Sequence, residues 1–116
     1  GIRRLAEITG PAYAREICFT GSRFSAEEAL QMNLVNRILL DAEIEEFVDQ
    51  CATVIAENAP LTIGSLKQIF IELAKNPVER DPERCTEAIE RCFTSEDYIE
   101  GRKAFLEKRK PRFQGR

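Results

Sequence analysis

The sequence predicts a mainly α-helical chain of about seven helices with one short strand. Three observations carry that expectation. Apolar residues recur at three- and four-residue spacing through most of the 116 residues. Glycine, proline and capping residues break that pattern at Gly10-Pro11, Gly21, Asn58-Ala59-Pro60, Asn76-Pro77 and Asp81-Pro82. Only Leu34–Leu39, with Val35 and Ile38, reads as an extended apolar run.

Taken in order, Gly1–Thr9 reads as a glycine-opened helix with Leu5 and Ile8 inward. Pro11 starts a second helix, because a first helical position does not need the N–H that proline lacks. That helix directs Ala14, Ile17 and Cys18 inward and stops at Gly21, which takes a left-handed cap at no steric cost. Ser25 and Glu28 have capping-box spacing for a short helix through Met32, ended by Asn33 in the left-handed region. After the strand, Asp41 is the expected cap of a helix striped by Ile44, Phe47, Val48, Cys51, Val54 and Ile55. Pro60 begins the next, with Ile63, Leu66, Ile69, Phe70 and Leu73 on its apolar stripe. Asp81-Pro82 opens a helix carrying Cys85, Ala88, Ile89, Cys92 and Phe93. Ser95 caps the last helix, whose regular part is expected to run to Pro111. A lone strand leaves its backbone groups without a partner. Either it pairs with sequence outside the chain, as the absence of an initiator methionine at Gly1 would suggest, or the segment is not a strand.

The length suits one domain, and 43% hydrophobic with 32% charged residues describes an ordinary globular composition. No apolar run reaches bilayer-spanning length, so no membrane partner is expected. There are no histidines, which excludes Ser-His-Asp and Cys-His nucleophile systems and histidine-containing zinc sites. Cys18, Cys51, Cys85 and Cys92 form no Cys-x-x-Cys and sit on inward-reading positions, as small hydrophobes in a reducing compartment. No metal site is expected. Glu7, Glu16 and the adjacent Glu27 and Glu28 read as solvated surface, since adjacent helical residues diverge and Glu28 has a capping role.

Charge is distributed unevenly. Residues 100–116 hold seven Lys/Arg against two Asp/Glu, whereas residues 1–99 hold ten against eighteen. On a continuous helix Phe105 lies three residues before Lys108 and four before Arg109, on one face. An aromatic ring beside a cation suits a purine linked to phosphate, such as the 3′-phosphoadenosine of coenzyme A. The alternative is that the cations close a helix whose C-terminal end is partially negative, with Phe105 as core. A nucleic-acid partner is disfavoured by the acidic body and a sequence pI near 5.1.

Three stretches then resemble the crotonase (enoyl-CoA hydratase/isomerase) family. They are Gly1-Ile2-Arg3-Arg4-Leu5; Thr20-Gly21 through Ser25-Ala26-Glu27-Glu28-Ala29 to Leu34-Val35-Asn36; and Ser95-x-Asp97-x-x-Glu100-Gly101-x-x-Ala104-Phe105-x-Glu107-Lys108-Arg109-x-Pro111-x-Phe113. Ala59-Pro60-Leu61-Thr62 with Lys67 adds support. The resemblance implies that residues 1–116 are the C-terminal helical, CoA-covering and oligomerisation segment of an α/β crotonase-like (ClpP/crotonase) fold, its β-spiral being earlier sequence. It implies homotrimers or hexamers, acyl-CoA substrates, no cofactor other than coenzyme A as part of the thioester, and a cytoplasmic or mitochondrial-matrix location. Catalytic groups are expected upstream of Gly1. Phe105 and Lys108 match the family positions that approach the adenine and the 3′-phosphate, commonly from the adjacent subunit.

The activity implied for the complete enzyme is hydration of 2-enoyl-CoA in fatty acid β-oxidation, making it a lyase, with Δ3-Δ2 isomerisation or other crotonase chemistry as the alternative. Asn33 replaces the family's usual glycine, and Ile89 stands where some hydratases place an aromatic. Tyr98 reads as a packing tyrosine or as a hydroxyl reaching an acyl pocket. A non-catalytic helical interaction module is the reading from a different functional class.

Overall fold

Gly10 divides the first helical stretch. The stretch α1, Ile2–Thr20, is two helices joined across a kink, because Gly10 has φ 79° and ψ 160°, outside the helical region. Pro11 follows at the break, and Thr9 Oγ1 donates to the Leu5 carbonyl at 2.9 Å. Gly21 ends the helix at φ 59°, its N–H bonded to the Ile17 carbonyl. Ser25 and Glu28 form the expected reciprocal cap of α2, Ala26–Gln31. The Ser25 N–H donates to the Glu28 carboxylate at 2.7 Å, and the Glu28 N–H to Ser25 Oγ at 3.2 Å. Asn33 takes φ 60°, as expected.

The computed structural model describes residues 1–116 as six α-helices and two 3₁₀ turns, in two units, Gly1–Glu45 and Glu46–Arg116. The expectation of about seven helices and one short strand is corrected. The two helices expected on either side of Gly10-Pro11 are both present, joined across the kink as α1, but Leu34–Leu39 is loop. The Leu34 N–H bonds back to the Ala29 carbonyl at 2.9 Å, closing α2 instead of starting a ladder. The chain offers that apolar run no second strand to pair with. Asp41 is not a cap either. It opens a 3₁₀ turn, Asp41–Glu43, and the Leu40 N–H donates to Glu43 Oε2 at 3.2 Å.

In the second unit, α3 is Ile44–Ala56 with its first turn at the boundary, α4 is Pro60–Leu73, α5 is Pro82–Phe93 and α6 is Glu96–Leu106. The helix α5 packs on α4 and on α6. The turn between α4 and α5 is tied by Glu72, only 3% exposed. Its carboxylate accepts from Lys75 Nζ at 2.7 Å and from the Asp81 N–H at 3.0 Å, and these bonds, Lys75 first, hold it below the usual carboxylate range. Asp81 caps α5 through the Arg84 N–H, and Ser95 caps α6 through the Tyr98 N–H.

The last helix stops at Leu106, short of the expected Pro111. The Lys108 N–H bonds to the Phe105 carbonyl and the Arg109 N–H to the Ala104 carbonyl, with Lys108 at φ 53°. This is the Schellman arrangement, with lysine where glycine is usual. The chain then returns along α6. Asp97, 3% exposed, accepts the Gln114 N–H at 2.6 Å and the Gly115 N–H at 2.8 Å, while its own N–H donates to the Arg116 carbonyl.

The core is thin. Its buried apolar residues are Ala14, Ala29, Met32 and Ala104, and no large side chain is fully buried. Two folded units of these lengths would together expose roughly 7,700 Å². The chain exposes 9675 Å². Exposed apolar residues include Phe70, Ile71, Ile99, Phe105 and Leu106. Cys18 and Cys51 are exposed, against the inward positions expected for them.

Gly10→Ala should lower the unfolding free energy by about 1–3 kcal/mol, because this backbone region is strained for a residue with a Cβ. Gly64→Ala, in α4 with open space around the added methyl, should raise it by about 0.5–1 kcal/mol. Denaturant titration of both variants checks the pair.

Candidate functional site

Two grooves flank α6, both within the second unit. One, of about 660 Å³, is apolar, with walls from α4 (Leu66, Ile69), α5 (Ile89, Phe93) and α6 (Tyr98, Phe105). Phe113 from the returning tail also lines it and lies against Gly101, where an added Cβ would stand 3.5 Å from the Phe113 ring. Phe93 and Tyr98 meet edge to face at 5.2 Å, and the Arg102 guanidinium lies 5.9 Å from the Tyr98 ring centre. These contacts give Tyr98 a packing role. The other groove, of about 830 Å³, runs between α6 and the tail, and its lining sets Glu96, Asp97 and Glu100 among Lys103, Lys110 and Arg112.

Phe105 projects at the edge of the apolar groove and is 83% exposed. Lys108 is also exposed but is not its neighbour on a helix face, because the left-handed turn at Lys108 ends the helical register. Proximity of the two therefore depends on the turn that follows Leu106.

That turn is held by charge. Arg109 donates through Nη1 and Nη2 to the two oxygens of Glu100 at 2.6 and 2.9 Å, and through Nε to Glu107 Oε2 at 2.6 Å. Glu100 Oε1 also accepts the Arg112 N–H at 2.7 Å. The Arg109 fork, then the Arg112 N–H, pulls the Glu100 carboxyl down to about 2. Arg109 is pushed up in turn, by Glu100 and then by Glu107. Lys110 pairs with Glu57 at 2.9 Å in an exposed contact. The Arg109 guanidinium is thus engaged inside the chain.

Every acid whose titration is displaced moves downward: Glu27 by backbone and Ser25 hydrogen bonds, Glu72 by Lys75, and Glu100 by Arg109. None of the three is an acid held protonated for proton transfer near neutrality. Glu7 pairs with Arg3 at 2.9 Å, and Glu28 is the α2 cap. Sequence reasoning missed the Glu100–Arg109–Glu107 cluster and the Asp97 clamp. All four residues lay in the quoted tail motif, but a nine-residue separation does not show that Glu100 and Arg109 meet. Only the reversal at Lys108 brings them together.

The family model for enoyl-CoA hydratase/isomerase matches residues 1–116. A carnitinyl-CoA dehydratase of Salmonella typhi is 37% identical over 120 residues, covering 100% of this chain and 46% of the relative. A solved enoyl-CoA hydratase/carnitine racemase of Magnetospirillum magneticum aligns with TM-score 0.83 at 33% identity, over 99% of this chain and 42% of that one. A solved enoyl-CoA hydratase of Bacillus anthracis aligns with TM-score 0.81 at 29% identity, over 99% and 45%. The chain spans about half the length of the relatives it matches. The expected placement of these helices at the C-terminal end of an α/β fold is contradicted: the chain holds no strand, and its matches do not place it there. No helix is long and apolar enough to cross a membrane.

A carboxylate with a depressed pKa stabilises the fold fully above its unfolded value and loses that contribution as pH falls through the folded one. For Glu100 the window runs from the ordinary 4.5 down to about 2. Glu100→Gln should therefore be less stable than the parent at pH 6, with the difference shrinking between pH 4.5 and 2, as followed by acid titration of unfolding. Asp97→Asn should release the last residues at a cost of about 1–3 kcal/mol, since it weakens bonds from backbone N–H groups to a buried charge. Faster amide exchange at Gln114 and Gly115 is the measurement.

Proposed function

Because the chain belongs to the enoyl-CoA hydratase/isomerase family, we propose that it is the part of an acyl-CoA enzyme that grips the coenzyme A nucleotide and carries subunit contacts. The observation that carries this reading is the family match along all 116 residues. Phe105 stacks against the adenine, and Lys108 meets the 3′-phosphate as a point charge. Their exposure supports that role, as does the clamped turn that joins them. The uncovered apolar faces of the helices are the surfaces for trimer or hexamer contacts and for the rest of the polypeptide.

The complete protein adds water to, or removes it from, a 2-enoyl-CoA. One reversible reaction accommodates both the hydratase and the dehydratase names of its relatives. Isomerisation of a Δ3-enoyl-CoA is the second reading, favoured by the isomerase half of the family's description. In either case the proton-transfer groups and the N–H donors that stabilise an enolate oxygen come from sequence outside these residues. Coenzyme A enters as part of the thioester, with no separate cofactor. A cytoplasmic location, as for a soluble bacterial enzyme, belongs to the same reading.

The test uses the complete protein and adenosine 3′,5′-bisphosphate as probe. Phe105→Ala should weaken binding by about 1–3 kcal/mol, and Lys108→Ala by about tenfold through loss of a charge-assisted contact. Calorimetric titration in which both variants bind like the parent would refute the nucleotide role. The 116 residues alone should leave the enoyl-thioester absorbance of crotonyl-CoA unchanged, whereas the complete protein should bleach it.

A further inference from the structure

We infer that Glu100, acting through Arg109, is a positioning residue that sets the Lys108 ammonium for the 3′-phosphate of coenzyme A, an inference that rests on the reading of Lys108 above. Lys108 lies at φ 53°, where a residue with a Cβ is disfavoured and does not stay unaided. Its neighbours on both sides are tied. Arg109 is fixed by its N–H on the Ala104 carbonyl, by its fork on Glu100 and by Nε on Glu107. Arg109 Nη1 also reaches the Lys110 carbonyl at 3.1 Å, so the guanidinium holds the backbone immediately beyond Lys108.

The same network selects which cation faces the ligand. Among Lys108, Arg109 and Lys110, Arg109 is neutralised by two carboxylates and Lys110 pairs with Glu57. Lys108 makes no ion pair. A run that reads as three cations therefore presents one uncommitted ammonium, beyond the end of the helix that carries Phe105. Without Glu100 the turn loses its anchor, and Arg109 becomes a competing cation one residue from Lys108. Glu100 touches no ligand in this arrangement. Its effect passes entirely through Arg109.

The experiment compares adenosine 3′,5′-bisphosphate with adenosine 5′-monophosphate on the complete protein, since the two differ only in the 3′-phosphate. Glu100→Gln should cut the preference for the bisphosphate about fivefold, leave the monophosphate affinity unchanged, and add no further loss in a Lys108→Gly background. Glycine there removes the ammonium while keeping the left-handed turn. If Lys108→Gly abolishes the preference but Glu100→Gln retains it, the positioning role is overturned and the nucleotide reading stands. If Lys108→Gly also retains it, the nucleotide role of Lys108 falls, and this inference with it. Should Glu100→Gln fail to fold, Arg109→Lys decides by the same criteria. It keeps the charge on Glu100 but not the fork, and a parental preference in that variant overturns the inference.

Discussion

The two-point contact between Arg109 and Glu100 is the constraint on which the end of this molecule depends. It is made possible by one residue, Lys108, turning left-handed, and it holds that residue there. Because Glu100 also accepts the Arg112 N–H, a single carboxylate fixes the start of the returning tail. Asp97, one helical turn earlier, fixes its end through Gln114 and Gly115. Between the two anchors Phe113 is laid against Gly101. The wall of the apolar groove and the place of Lys108 both follow from that pair of acids on one face of α6.

Such polar anchoring matters because the chain has little core. Helices in small domains are normally held by burial of an apolar stripe. Here apolar side chains of α3 and α4, among them Val48, Val54, Phe70 and Ile71, remain exposed. What is buried in the second unit is small or charged: Ala104, Ser65, Ser95, Glu72 and Asp97. Ser95, Glu72 and Asp97 are hydrogen-bonded at helix ends and turns, so the α4–α5 turn and the start of α6 are specified even where helix faces are uncovered. This division of labour belongs to a family segment that spans under half of its relatives' length.

Local signals in the sequence were legible where the physics is local. Gly10, Gly21 and Asn33 all take the positive φ that their residue types allow at least cost. Ser25 with Glu28, and Ser95 with the Tyr98 N–H, form caps from contacts three residues apart. The apolar run at Leu34–Leu39 misled for the converse reason. Strand formation is not a local property, and the run had no ladder to join. Helical spacing likewise suggested that Phe105 and Lys108 share a face, because periodicity carries no information about where a helix stops.

The sequence by itself determined the helical periods, the caps, the breaks and the family, since each is written in neighbouring residues or in their joint order. Tertiary structure alone decided the reversal after Leu106, the joining of Glu100 to Arg109 and the burial of Asp97 beneath the tail. The last two depend on residues nine or more positions apart meeting in space, and the choice of partner is made by packing and charge, not by any short-range preference of the chain.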